Sequence, residues 1–260
     1  MKKMRALVTN DDGIESVFLH RLVDALLPDF SVCVAAPSEE QSWIGRAISR
    51  RKAIEVQRIE TLFPKKVQSW SISGTPSDCV NIALGHLLET PPDIVLSGIN
   101  LGYNTTEILI LSSGTIAGAI EGSLWGHPAI AFSQAIPNQL YPQIHSQNGH
   151  TDPEFSKIVQ ASADKAAEIA RSTLENPPPQ GTVLNVNFPE SMHTRSPIEQ
   201  TLPEKVHLGS LYECNKDGHY QFQYREGKRL SQHPNSDRSA LKRGNISISK
   251  LDFSQIGRLN

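Results

Sequence analysis

From Met4 to Phe188 the chain alternates compact apolar runs with segments whose apolar residues recur every three or four positions, and no other feature narrows the fold as much. Residues 4–9 read as a strand ending in a turn signal, and Leu19, Leu22, Val23, Leu26 and Leu27 mark one face of a helix. Pro28-Asp29 closes that helix, and residues 31–36 read as a second strand stopped by Pro37. Residues 66–73, 93–97, 128–133 and 182–188 are further strands. The helical stripes between them are Val80 through Leu88, Ile116 through Ile120, and a long one from Phe155 to Ala170 that ends before Pro177-Pro178-Pro179. Thr75-Pro76-Ser77-Asp78 predicts a helix start with its mechanism visible: Thr75 caps, Pro76 takes the first turn, and Asp78 completes a capping box. Strand then helix, repeated, predicts right-handed crossovers and an α/β fold with a doubly wound, mostly parallel sheet.

After Pro189 the texture turns polar and helix-poor, with hairpin-like runs at residues 219–224 and 245–251. We therefore expect a catalytic core over 1–189 and a β-rich extension over 190–260 that pairs with another subunit. At 260 residues the chain is long for one domain and short for two. Its 27 acidic and 25 basic residues leave a formal charge of −2, without the basic surplus of a nucleic-acid binder. No stretch nears the roughly 18 apolar residues that cross a bilayer, so no membrane partner is expected. The opening Lys-Lys-Met-Arg is followed by a short apolar run and then Asn10-Asp11-Asp12, which does not make a signal peptide. Cys33, Cys79 and Cys214 are odd in number and far apart, which predicts neither a disulfide framework nor a zinc-thiolate site and favours a reducing, cytoplasmic setting.

Doubly wound sheets bind ligands beyond the carboxyl ends of their strands. The segments found there are Asn10-Asp11-Asp12-Gly13, residues 37–42, Ser97-Gly98-Ile99-Asn100, and the Ser112-Ser113-Gly114-Thr115 turn. Asp-Asp-Gly is ordinary turn chemistry. Two adjacent carboxylates also repel, and a divalent cation is one way to keep both ionised. Asp11, Asp12, Ser42 and Asn100 would offer oxygen ligands only, a set suited to Mg²⁺ or Mn²⁺. Ser113-Gly114-Thr115 opening a helix is either a plain N-cap or a cradle for an anion such as phosphate. The glycine fingerprints of dinucleotide and P-loop sites are missing, as is a G-x-S-x-G elbow. The nine histidines show no metal-ligand spacing, and His20, His86 and His127 read as packing or surface residues. Residues 46–52, with Arg46, Arg50, Arg51 and Lys52, read as a solvated face close enough to Ser42 to help attract a phosphate.

Taken in order, these segments resemble the SurE family. The resemblance rests on Val8 through Gly13, Ala36-Pro37 through Gln41-Ser42, Ser73-Gly74-Thr75-Pro76-Ser77-Asp78-Cys79-Val80 and Ser97-Gly98-Ile99-Asn100-Leu101-Gly102. Ser113-Gly114-Thr115, Leu184-Asn185-Val186-Asn187-Phe188-Pro189, and Ser236-Asp237 through Ser247-Ile248 extend it along nearly the whole chain. It implies a Rossmann-like core whose C-terminal β extension is exchanged in a homodimer or homotetramer. It also implies one divalent metal ion per subunit and 5'-nucleotidase action on nucleoside monophosphates, often with some activity on 3'-nucleotides or polyphosphate. The family's metal ligands fall on Asp11, Asp12, Ser42 and Asn100, with Asp11 and Asp12 as catalytic carboxylates. Asn10, Asn104, Ser113, Gly114 and Thr115 fall where substrate is held. Two places depart from the family pattern. Trp43 follows Ser42 where the family usually has glycine, and residues 105–111 replace a shorter, glycine-containing loop. Two rival expectations remain: a broad-specificity acid-type phosphatase for sugar phosphates or short polyphosphate, and, suggested by the altered loop, a catalytically weakened nucleotide-binding protein.

Overall fold

A computed structural model describes residues 3–230 and 233–256. The first half runs β1 (Met4–Thr9), α1 (Val17–Leu26), β2 (Phe30–Pro37), β3 (Val56–Arg58), β4 (Gln68–Ile72), α2 (Pro76–Ile82) and β5 (Ile94–Leu101). It continues through α3 (Thr106–Ser112), α4 (Gly114–Leu124), β6 (Ala129–Gln134), α5 (Tyr141–Ser146), α6 (Pro153–Glu175) and β7 (Thr182–Phe188). The remainder holds β8 (Ile198–Thr201), β9 (Val206–His207), β10 (Tyr212–Cys214), β11 (Tyr220–Phe222), β12 (Lys228–Arg229), α7 (Asp237–Lys242) and β13 (Ile246–Asp252).

Nine strands form one sheet in the order β3-β4-β2-β1-β5-β6-β7-β13-β8. Its central pairs, from β4 to β7, are all parallel. The period of two along the strands sorts side chains between two helical layers. In β1, Ala6 and Val8 enter the core under α1 and α6, while Leu7 faces the cluster under α2. Ile94 and Leu96 of β5 repeat the first choice and Val95 the second. The expected stripe of α1 is buried at Leu19, Leu22, Val23 and Leu26. The capping box of α2 is present, with Asp78 Oδ2 accepting from the Thr75 N–H at 2.9 Å. Asp152 caps α6, accepting from the Glu154 and Phe155 N–H groups.

The run at 219–224 falls on β11, which pairs with β10 in a separate two-stranded hairpin. The run at 245–251 is different from expectation. It forms β13, which lies antiparallel to β7 and parallel to β8 inside the main sheet. Its Ser247 and Ser249 are fully buried and share the Thr201 hydroxyl at 2.7 and 2.8 Å. A buried hydroxyl with a partner carries little penalty, which is why a polar run can lie between two strands of the main sheet here. Among the described residues, no single helix is long and apolar enough to cross a membrane.

Candidate active site

Strand order reverses at β1, which sends the chain out to β2 and β4 and receives it back at β5. A crevice opens at such a reversal. Asp11 and Asp12 leave β1 there, and Asn100 sits at the end of β5 beside them. Asn10 is fully buried and its amide donates to the Gly13 carbonyl at 2.8 Å, so it shapes the turn and does not line the cavity.

Asp11 is 4% exposed, and its Oδ1 accepts from the Thr115 hydroxyl at 2.5 Å. The Thr115 backbone N–H also points at this carboxylate. The expected anion cradle at the start of α4 is thus aimed at Asp11. Gly114 makes the approach possible: a Cβ there would lie 2.7 Å from Asp11 Cβ. Burial nonetheless pushes the Asp11 carboxyl up to about 6, with the two Thr115 donors opposing the shift. Asp12 is pushed well above the usual carboxylate range by burial and then by the charge of Asp11, although its Oδ2 accepts from the Leu101 N–H at 3.0 Å. Two adjacent carboxylates that protein donors do not fully compensate fit a divalent cation. The other oxygens on hand, the Ser42 hydroxyl and the Asn100 amide, are hard ligands of the Mg²⁺ type. Among the described residues there is no group of three or more His, Cys, Asp or Glu side chains that could hold a metal by themselves.

A cavity of about 370 Å³ brings Asp11, Ser42, Asn100, Asn104 and Ser113 to one wall. Asp12 opens instead into an adjoining cleft of about 100 Å³ with Glu39, Glu40 and His145. The Ser42 hydroxyl donates to Glu40 Oε1 at 2.5 Å, and His145 Nε2 lies 2.9 Å from the same oxygen. Burial raises the Glu40 carboxyl, but the Ser42 and His145 hydrogen bonds outweigh it and hold the group below its ordinary value. Arg46 is turned away, forming an ion pair with the buried Glu121 at 2.5 Å.

A family model described as "Survival protein SurE" matches residues 6–207. The chain belongs to the SurE family. A 5'-nucleotidase SurE from Thermoanaerobacter sp. (strain X514) is 32% identical over 254 residues, covering 96% of this chain and 92% of that protein. One from Nostoc sp. (strain PCC 7120) is 37% identical over 188 residues, which cover 72% of this chain but only 64% of the Nostoc protein's length. The crystal structure of the SurE protein from Aquifex aeolicus superposes with a TM-score of 0.74 at 26% identity, covering 95% of this chain and 93% of that one.

Several SurE-family segments acquire a physical role from the contacts. Asn185 and Asn187 are fully buried and both donate to the Asn104 carbonyl, while Asn187 Oδ1 accepts from the Asn104 N–H at 2.7 Å. They clamp Asn104 in the cavity wall, where its amide donates to Ser133 Oγ. Asp237 accepts from the Thr106 N–H at 2.7 Å and the Glu204 N–H at 3.1 Å, tying the C-terminal segment to the start of α3. Residues 105–111, read as a loop, form most of that helix, which sets Leu109 and Ser112 against the cavity.

Residues not singled out in the sequence complete the cavity: Tyr141 stands beside the acid wall, while Tyr103, Phe222 and Tyr224 gather around Trp43. Tyr141 is pushed up to about 12 by burial and then by Asp12, Glu40 and Asp11, so its phenol stays neutral beside the acid wall. The signal that could have found Tyr141 is Tyr141-Pro142 opening a helix; Phe222 ends the exposed strand β11 and Tyr224 lies just beyond it, with no local cue to the cavity.

Proposed function

We propose that this chain is a metal-dependent phosphomonoesterase that hydrolyses nucleoside 5'-monophosphates to nucleoside and inorganic phosphate. The observation that carries the reading is the pair of adjacent carboxylates at the sheet's switch point: buried Asp11 shares one cavity with the Ser42 hydroxyl and the Asn100 amide, and Asp12 faces the adjoining cleft. Family membership and the 5'-nucleotidase relatives support it.

Asp11, Asp12, Ser42 and Asn100 would hold one Mg²⁺ or Mn²⁺ ion. Such an ion polarises a phosphate oxygen and lowers the pKa of a bound water. Asp11 orients the attacking water, and Thr115 and Gly114 fix Asp11 in place. Asn104 and Ser113 face the remaining phosphate oxygens, where hydrogen-bond donors stabilise charge as it redistributes in the transition state. Water adds to phosphorus as the bond to the ribose 5'-oxygen breaks, and that oxygen leaves as the nucleoside hydroxyl. The β10–β11 hairpin, with its exposed Tyr212 and Tyr220, supports a homodimer in which residues 190–260 meet a second copy. Three free cysteines, Cys33, Cys79 and Cys214, support a cytoplasmic setting.

The test is phosphate release from AMP, GMP, ribose 5-phosphate and tripolyphosphate, with Mg²⁺ or Mn²⁺ and with EDTA. Metal-dependent release from AMP and GMP, lost in EDTA, is the expected result. Release that ignores EDTA, or none from any nucleotide, overturns the reading.

A further inference from the structure

We infer that Trp43 is a nucleobase-stacking platform that makes this site select nucleotides, purines above pyrimidines, over phosphoesters lacking a base. The inference rests on the phosphomonoesterase reading and concerns its substrate class. Three observations carry it.

The first is conformational. Trp43 has φ +58°, a left-handed backbone that glycine adopts freely and a bulky side chain does not. Among the described residues only Trp43, Thr106 and Asn148 are non-glycine residues in this region. Strain of this kind persists where the surroundings hold it, and it clusters at ligand sites. A tryptophan held in this conformation needs a reason that outweighs its backbone.

The second is placement. Trp43 follows Ser42 directly, and its indole lines the same cavity as Asp11 and Asn100. It is 40% exposed, so core packing is not what retains it. A phosphate held at the acid wall therefore leaves its organic substituent against the indole.

The third is the indole's company. Phe222 meets it edge-on with ring centroids 4.9 Å apart, and Tyr224 lies at 6.2 Å. The Tyr224 hydroxyl is 3.2 Å from that of Tyr103, which fastens the residue 211–224 strap to the cavity rim. An indole held by neighbouring rings yet 40% exposed can stack on any flat base, and stacking favours the larger purine. Sugar phosphates and polyphosphate present no such face.

The experiment measures kcat/KM for AMP, UMP and ribose 5-phosphate in the wild type, Trp43→Gly and Trp43→Phe. In the wild type AMP exceeds ribose 5-phosphate by about tenfold or more, with UMP between them. In Trp43→Gly the AMP to ribose 5-phosphate ratio falls about tenfold, chiefly through KM, and Trp43→Phe restores most of it. Glycine suits the backbone here, so the melting temperature of Trp43→Gly is expected at or above wild type. Independently of turnover, adenosine added to EDTA-treated protein quenches indole emission more than uridine does, and Trp43→Phe removes that quench. An unchanged substrate ratio in Trp43→Gly, or a quench that survives in Trp43→Phe, overturns the platform while leaving the hydrolase reading intact. A wild type that releases no phosphate overturns the hydrolase reading instead, and the adenosine quench still decides the platform.

Discussion

The acid end of the cavity grows out of the most deeply buried part of the molecule, whereas the aromatic end is laid over it by one of the most exposed. Thr9, Asn10 and Ser97 are fully buried at the strand ends that hold the acid wall, while Tyr212 and Phe222 of the strap are 55% and 47% exposed. Around the carboxylates, backbone approaches leave no room for change. Gly98, at φ +130°, could not carry a Cβ without running into the Phe132 carbonyl. The strap is joined to the cavity by ring edges and one tyrosine pair. The difference separates two tasks: reaction chemistry needs fixed geometry, and recognition of a flat ligand tolerates an adaptable cover.

The sharpest way to break the comparison is at the acid end. Asp11→Asn and Asp12→Asn keep shape and hydrogen-bonding reach while removing the charge that a cation needs. Each is expected to lower kcat for AMP by about 10³-fold or more while the far-UV circular dichroism stays unchanged. Hydrolysis within tenfold of wild type in both variants would show that the chemistry lies elsewhere in the cavity.

The acid end should also be a liability when metal is absent, and the sign can be worked out from the carboxyls. The Asp11 carboxyl titrates near 6 in the fold, above the ordinary value of about 3.9 expected in the unfolded chain. A raised carboxyl favours the fold while protonated in both states, and that contribution is lost as pH rises through the folded value. Metal-free protein should therefore lose stability as pH rises from about 4 to about 6, with Asp12 adding in the same direction. Thermal melts in EDTA across that window, compared with Asp12→Asn, measure the effect. A smaller fall in the variant, and recovery of the wild type on adding Mg²⁺ or Mn²⁺ at pH 7, are the expected outcomes. Identical pH slopes in the two proteins would mean that Asp12 adds nothing to the pH dependence.

The same contrast explains what could be read from sequence. The parallel core was legible because burial on both faces of a strand writes continuous apolar runs, as at residues 93–97, and helices write stripes such as Leu19, Leu22 and Leu26. The acid wall was legible because its residues sit at strand ends, where topology says to look. Three features were not. The place of β13 inside the main sheet is hidden by serines whose partner, Thr201, is more than forty residues away. Asp237 reaches Thr106 across 131 positions. Phe222 and Tyr224 reach Trp43 only once the chain has folded back, and no local pattern encodes that return.

The smallest effect belongs to the strap, and it decides whether exposure and adaptability really go together there. Phe222 touches Trp43 and Tyr212 through ring edges and is nearly half exposed, so truncation to alanine removes one wall of the aromatic end without opening the core. Aromatic pairs of this kind contribute about 0.5–1.5 kcal/mol. Phe222→Ala should shift global stability by less than ~0.5 kcal/mol, as exposed positions do. Its KM for AMP should rise about threefold, the lower end of what a ring contact provides, and rise less for ribose 5-phosphate. A melt with calorimetric detection and a two-substrate titration give both quantities. If stability falls by several kcal/mol instead, the strap is part of the fold's framework. The two ends of the cavity would then differ in exposure but not in rigidity.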